Sequence, residues 1–236
     1  MRLHPRPQTK PRTVRQAFEG IESQRIDCPP LTPLYSAYWH KARPGDVVGK
    51  FACRRKLHPD RPANTLPKST SHFHPWEPRV LTSLEMKRLS SFPDDFEFRT
   101  WINALHRIGN SVPPLLMEAI ARHIRKNVLK TRKKPTVVST FAGCGGSSLG
   151  YHLAGYTELL AVEWDDDAAK TLRDNFKGLE VYHGDINDLS VEECLNRIKL
   201  KAGELDVLDG SPPCQGFSLA ANKPRNEAFQ DSRNDL

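Results

Sequence analysis

The apolar positions of this 236-residue chain follow two different rhythms. From residue 135 onward they gather into short, nearly uninterrupted runs: Pro135–Phe141, Glu158–Val162, Leu179–His183 and Leu205–Leu208. Runs of this length without polar alternation predict buried strands of a parallel sheet. The more polar stretches between them predict connecting helices, and the series reads strand, glycine-rich turn, helix, strand, helix, strand, helix, strand. Before residue 135 the pattern is sparser, and two stretches stand out as helical. In the first, Thr82 with Glu85 three residues on forms a capping box, and Leu84, Leu89 and Phe92 supply an apolar face. In the second, Pro114 sits near a first turn, and Leu115, Leu116, Ala119, Ile120 and Ile124 predict a buried stripe.

Candidate chemistry lies at the carboxyl ends of the predicted strands, where open α/β sheets place their ligands. The first strand runs into Phe141-Ala142-Gly143-Cys144-Gly145-Gly146, a turn whose glycines let a ligand approach the backbone at a helix start. Glu163, 20 residues beyond Gly143, ends the second strand beside Trp164, where a carboxylate can accept the ribose hydroxyls of an adenosine. Asp185-Ile186 follows the third strand and suits an adenine edge. The fourth leads to Ser211-Pro212-Pro213-Cys214, a thiol on a stiff turn and so a candidate nucleophile.

Pro212-Pro213-Cys214-Gln215-Gly216-Phe217-Ser218 closely resembles the nucleophile motif of the DNA (cytosine-5)-methyltransferases, and the order of the preceding features is similar to the cofactor half of that family. The resemblance implies an α/β, Rossmann-like S-adenosylmethionine-dependent methyltransferase fold, present in part as four cofactor-side parallel strands. It implies S-adenosylmethionine as cofactor, S-adenosylhomocysteine as product and no metal. Cofactor contacts are expected from Phe141, Gly143, Cys144, Gly146, Glu163, Trp164, Asp185, Ile186 and Pro212. Cys214 would add to C6 of a cytosine flipped out of double-stranded DNA, making C5 nucleophilic toward the methyl group. Residues 219–230 read as a loop closing over DNA, with Ser218, Asn222, Lys223, Arg225 and Arg233 as DNA contacts.

Two earlier segments resemble the family's last motifs, which in most members follow the nucleophile. Residues 79–94 resemble the penultimate motif, and Ile108-Gly109-Asn110-Ser111-Val112-Pro113-Pro114 the final one, adding Asn110, Ser111 and Val112 to the cofactor site. The chain therefore reads as a circular permutant with the C-terminal helices on the N-terminal side, joined to the first strand by a basic linker, Lys126 to Lys134. Three regions are expected: residues 1–78, a basic, loop-rich remnant of the target-recognition region; 79–134, the permuted helices and linker; and 135–236, the cofactor and nucleophile half. Pro11–Phe18, Arg61–Leu66 and His72–Pro75 resemble stretches flanking target recognition.

Charge sharpens this division. Residues 1–134 hold 26 Lys and Arg against 11 Asp and Glu, whereas residues 135–236 hold 9 against 17. A basic half joined to an acidic half suggests a DNA-facing surface and a separate cofactor domain, with Arg54-Arg55-Lys56 and Arg122 to Lys134 as candidate phosphate contacts. Five cysteines without paired spacing argue against disulfides or a zinc site, and Cys28, Cys53 and Cys194 read as inert. His72 and His74 lack a second ligand pair and read as structural or surface residues. The N-terminus reads as a basic arm without the apolar core of a signal peptide, no apolar run approaches a membrane span, and a bacterial cytosol is the expected compartment.

The family's Glu-Asn-Val and Gln-x-Arg-x-Arg motifs, which assist at the base, are not in these residues. The sequence thus leaves three readings: one chain of a methyltransferase completed by a second polypeptide, an inactive fragment, or a non-catalytic cofactor- or DNA-binding module. The first implies that this chain alone does not methylate DNA.

Overall fold

A computed structural model describes residues 10–21, 26–49, 54–130 and 133–212. Four parallel strands, β1 (Thr136–Thr140), β2 (Thr157–Glu163), β3 (Val181–His183) and β4 (Val207–Gly210), form one sheet in the order β3-β2-β1-β4. All four fall within or beside the predicted runs. The helices between them are α6 (Gly146–Leu153), α7 (Asp166–Asn175) and α8 (Val191–Ile198). Because the chain steps outward from β1 to β3 and then returns to β4 on the other side of β1, the direction of winding reverses at β1/β4. Such a switch leaves a crevice at the carboxyl ends of the strands.

One face of the sheet, bearing Val138, Leu160 and Val162, packs on Ile198 of α8 and its neighbours. The opposite face is covered by α6 and α7 together with helices from earlier in the chain: α3 (Ser83–Leu89), α4 (Trp101–Asn110) and α5 (Pro114–Ile124). Met117 and Ala121 of α5 join Val137, Tyr151 and Tyr156 in one cluster, while Met86, Phe92, Leu105 and Ile108 join Ala161, Leu172 and Phe176 in another. The α5–α6 contact is close because α6 carries glycines toward it. A methyl group on Gly150 would lie 2.5 Å from Met117 Cβ, and one on Gly146 would lie 2.5 Å from Val112 O.

Among its described residues, the N-terminal region has little regular structure beyond α1 (Val14–Phe18) and α2 (Pro33–Lys41), linked by the isolated bridges Val47↔Arg55, Lys56↔Phe73 and Phe73↔Val80. Its centre is polar. Arg79 forks onto Glu85 at 2.8 and 2.7 Å and also holds Glu77 at 2.9 Å. His74 Nδ1 accepts the Glu77 N–H at 3.0 Å, so its Nε2 faces Glu85 Oε1, 3.4 Å away. Phe18 stacks on the same ring at 5.6 Å, and Trp39 Nε1 donates to His74 O at 2.8 Å. Both His72 and His74 are buried and structural.

Three expectations are corrected. Leu115 and Leu116 are exposed, and the buried face of α5 is Pro114, Met117 and Ala121, because docking on Gly150 selects that side. The expected linker from Lys126 instead begins as a π-helical turn, Arg125–Leu129, continuing α5. Lys56 is not a phosphate contact: it is buried, lies 3.5 Å from the Trp39 ring centroid and donates to the carbonyls of Trp39 and Ala42. The neighbouring arginines are partly committed too, Arg54 over Tyr35 and Arg55 to Gly45 O. The capping box at Thr82 forms as expected, with Glu85 also serving Arg79.

Candidate cofactor and catalytic site

The carboxyl ends of β1, β2 and β3 meet around Glu163. This side chain is 7% exposed. Its Oε2 accepts the Gly143 N–H at 2.7 Å, and its Oε1 accepts the N–H groups of Trp164 and Asp165 at 3.0 and 2.9 Å. One carboxylate thus ties the glycine turn after β1 to the start of α7. An ionised carboxylate has about four acceptor positions, so about one remains for a ligand.

The turn itself carries unusual backbone. Phe141 has φ of 54°, a left-handed conformation uncommon outside glycine, and Gly143 has φ of 59°. Such conformations persist where surrounding contacts impose them, often at functional sites. A methyl group on Gly143 would meet nothing within 4 Å, so this glycine borders open space. Cys144, by contrast, turns inward. It is buried, its Sγ lies 3.0 Å from Ser111 Oγ, and burial pushes its thiol up to about 11. Only the backbone of Cys144 is placed to meet a ligand, and its thiol is not a nucleophile.

Trp164 projects its indole into solvent at 74% exposure, which leaves an aromatic face uncovered at the end of β2. Its carbonyl accepts from His183 Nε2 at 3.2 Å, linking β2 to β3. Asp185 is exposed and accepts the Asn187 N–H at 2.9 Å, starting a short 3₁₀ turn, and Ile186 is half-buried against the α8 face. Asn110 is exposed at the end of α4, Ser111 and Val112 are half-buried, and Val112 O is among the nearest atoms to Gly146. The sequence-predicted cofactor residues from five separate segments therefore gather at one end of the sheet, with Pro212 exposed after β4. Cys214, Ser218, Asn222, Lys223, Arg225 and Arg233 lie outside the described residues.

Asp209 of β4 lies beneath this region, and burial together with Glu158 raises its carboxyl above the ordinary range. Among the described residues, no group of three or more His, Cys, Asp or Glu side chains is placed to hold a metal ion. Likewise no described helix is long and apolar enough to cross a membrane.

Sequence reasoning did not single out Arg107. It reaches from α4 to Asp165 at 2.6 Å, and its carbonyl accepts from Ser111 Oγ at 2.8 Å. Nothing in its local sequence marks it, since the partners are 58 and 4 residues away. The Arg79–Glu85–His74 centre was equally invisible beyond the Glu85 cap.

The donor set fits S-adenosylmethionine: an open glycine turn, a carboxylate with acceptor capacity, an uncovered indole and a second carboxylate just beyond the adjacent strand. Parts of the chain are similar to known methyltransferases. Type II methyltransferase M.AquIA of Picosynechococcus is 39% identical over 87 residues, covering 37% of this chain and 35% of that protein. Type II methyltransferase M.DdeI of Desulfomicrobium norvegicum is 39% identical over 99 residues, 40% of this chain and 23% of the relative. M1.HphI of Haemophilus parahaemolyticus is 39% identical over 103 residues, 41% and 27% respectively. The matches span 23–35% of the length of these curated relatives. The family described as C-5 cytosine-specific DNA methylase matches over residues 4–126 and 136–236, nearly the whole sequence, and this chain belongs to that family.

Proposed function

We propose that this chain forms the cofactor and nucleophile part of an enzyme that methylates C5 of cytosine in double-stranded DNA. The observation that carries this reading is the Glu163 carboxylate bridging Gly143 and Asp165, with Trp164 and Asp185 alongside at the strand ends. S-adenosylmethionine bound there supplies an electrophilic methyl group. Glu163 uses its remaining acceptor position for the ribose hydroxyls, the Trp164 indole covers the adenine face, Asp185 accepts from the adenine edge, and the Phe141–Gly146 turn with Asn110–Val112 frames the amino-acid end. Cys214, beyond β4, is the thiolate that adds to C6 of the flipped base. The addition makes C5 enamine-like, and after transfer the C5 proton leaves as the C6–S bond breaks, restoring the ring and the thiolate.

The same reading makes residues 79–134 the permuted helices and linker of the family fold. What supports it is their packing: Ser111 lies against Cys144 and α5 against α6, so these helices are part of the catalytic unit. It also keeps residues 1–78 as a remnant of the target-recognition region on the DNA side, and a bacterial cytosol as the setting. The rest of the enzyme's sheet, whether on this polypeptide or a second one, docks at the β4 edge in this proposal. What supports it among the described residues is that β4 pairs only with β1 and leaves Leu208 69% exposed.

Calorimetry with S-adenosylhomocysteine tests the cofactor site. Glu163→Ala should weaken binding by ~10–100-fold, the range for losing a charge-assisted hydrogen bond; equal affinity removes Glu163 from the site. Transfer of labelled methyl groups to duplex DNA, measured for the chain alone and with the candidate second polypeptide, should vanish in Cys214→Ser. Activity that persists in that variant overturns the mechanism.

A further inference from the structure

The segments around the candidate cofactor site are joined by a continuous polar chain that begins outside it. Arg107 of α4 donates from Nη2 to Asp165 Oδ1 at 2.6 Å, and Asp167 Oδ2 lies 4.0 Å from the same nitrogen. Asp165 caps α7 by accepting the Ala168 N–H at 2.9 Å, and its own N–H binds Glu163 Oε1 at 2.9 Å. Glu163 then holds Gly143 through its other oxygen at 2.7 Å. From the other end of Arg107, the backbone carbonyl accepts from Ser111 Oγ at 2.8 Å and from Cys144 Sγ at 3.7 Å. This one residue therefore touches the turn after α4, the glycine turn after β1 and the start of α7, three of the segments that frame the cleft.

The electrostatics favour a defined geometry. The Arg107 side chain is only 16% exposed, and its Nε is buried without a hydrogen-bond partner among the described residues. Asp165 is then the main compensation for a partly desolvated guanidinium, which is a stronger constraint than an exposed ion pair. Desolvation works to raise the Asp165 carboxyl, but the Ala168 N–H and Arg107 outweigh it and hold the carboxyl below its ordinary range.

We infer that Arg107 is a positioning residue for the cofactor cradle: through Asp165 and Glu163 it sets where the Gly143 and Trp164 backbone stands, without itself meeting the ligand. The binding half of this inference rests on the functional reading above; the ordering half does not.

The test uses the 236-residue chain with Arg107→Met, Arg107→Lys, Asp165→Asn, which keeps an acceptor for the α7 cap, and the Arg107→Met/Asp165→Asn pair. Amide hydrogen exchange without ligand should speed up by ~10-fold at Gly143, Trp164 and Asp165 in Arg107→Met, while amides of β1 and β2 keep their protection. Arg107→Lys should restore part of the difference. S-adenosylhomocysteine affinity should fall by ~10-fold in Arg107→Met and no further in the double variant, and the gap to the intact chain should shrink in high salt. Unchanged exchange at Gly143 and Trp164 in Arg107→Met overturns the positioning role whether or not ligand binds. Failure of the intact chain to bind S-adenosylhomocysteine would instead count against the cofactor reading, and the exchange data would still decide the role of Arg107. Loss of protection throughout the sheet would show a merely structural residue and also overturn the inference.

Discussion

The N-terminal region and the sheet solve the same burial problem with opposite materials. The sheet holds its strands with aliphatic side chains on both faces, so any β-branched or branched residue of similar size could serve at Val138, Leu160 or Val162. The region before residue 82 has few ladder hydrogen bonds and is fixed by individual side chains with named partners: Arg79 on Glu85, His74 between Phe18 and Glu85, Lys56 under Trp39. A pattern of apolar positions describes the first kind of structure. It cannot describe the second, where one substitution removes a partner that nothing nearby replaces.

The comparison is most exposed at Glu85. Glu85→Ala would leave the mostly buried Arg79 guanidinium with Glu77 and the Val80 carbonyl and should destabilise the N-terminal region by about 3–5 kcal/mol, the usual cost of breaking a buried ion pair from one side. Urea denaturation followed by fluorescence in a background that keeps Trp39 alone of the four tryptophans would show it; a cost below about 1 kcal/mol would mean that the polar centre is not what fixes this region.

Acid should act on the same centre. Burial, helped by Arg79, outweighs Glu85 and Glu77 and lowers the His74 imidazole to about 4. Above about pH 6.5 the ring is neutral in both folded and unfolded chains, so its contribution to stability is complete. As pH falls from about 6.5 to about 4 the unfolded chain takes up a proton that the folded chain resists, and stability declines by up to about 3 kcal/mol. His74→Gln should flatten that part of the melting temperature–pH curve. An unchanged slope would assign the acid sensitivity to carboxylates instead.

The smallest expected effect lies in the apolar kind of structure, where α5 docks on α6. Gly150→Ala raises helix propensity by about 1 kcal/mol, but its methyl group would meet Met117 Cβ at 2.5 Å and backbone atoms of Pro114 and Glu118 at 2.8 Å. Backbone cannot yield as a side chain can, so overpacking should prevail with a net loss of about 1–3 kcal/mol. A stabilised variant in a urea titration would show that α5 is held less tightly than its contacts indicate.

The sequence was most legible where local pattern and packing agree. The contiguous runs became β1 to β4, most plainly at β1 and β2 because a strand buried on both faces needs nothing beyond apolar side chains, and Thr82–Glu85 became a cap because its two hydrogen bonds are local. The stripe predicted at Leu115 and Leu116 failed for the converse reason. α5 offers apolar residues on more than one side, and only Gly150 of another helix decides which side docks. At the candidate site Glu163 was legible as an acid at a strand end, but its bond to the Gly143 N–H was not, since that follows from where β1 leaves the sheet relative to β2.

By itself the sequence determined a parallel α/β sheet, the glycine turn and acids at its carboxyl ends, and the family to which these belong. Those properties are carried by short segments whose spacing along the chain is enough to express them. Tertiary structure alone decided that Glu163 holds the Gly143 N–H, that Cys144 turns away from the cleft, that Lys56 is buried, and that Arg107 joins α4 to Asp165. Each of these depends on atoms brought together from distant parts of the chain, and a side chain's partner is fixed only when packing has removed the water that would otherwise take its place.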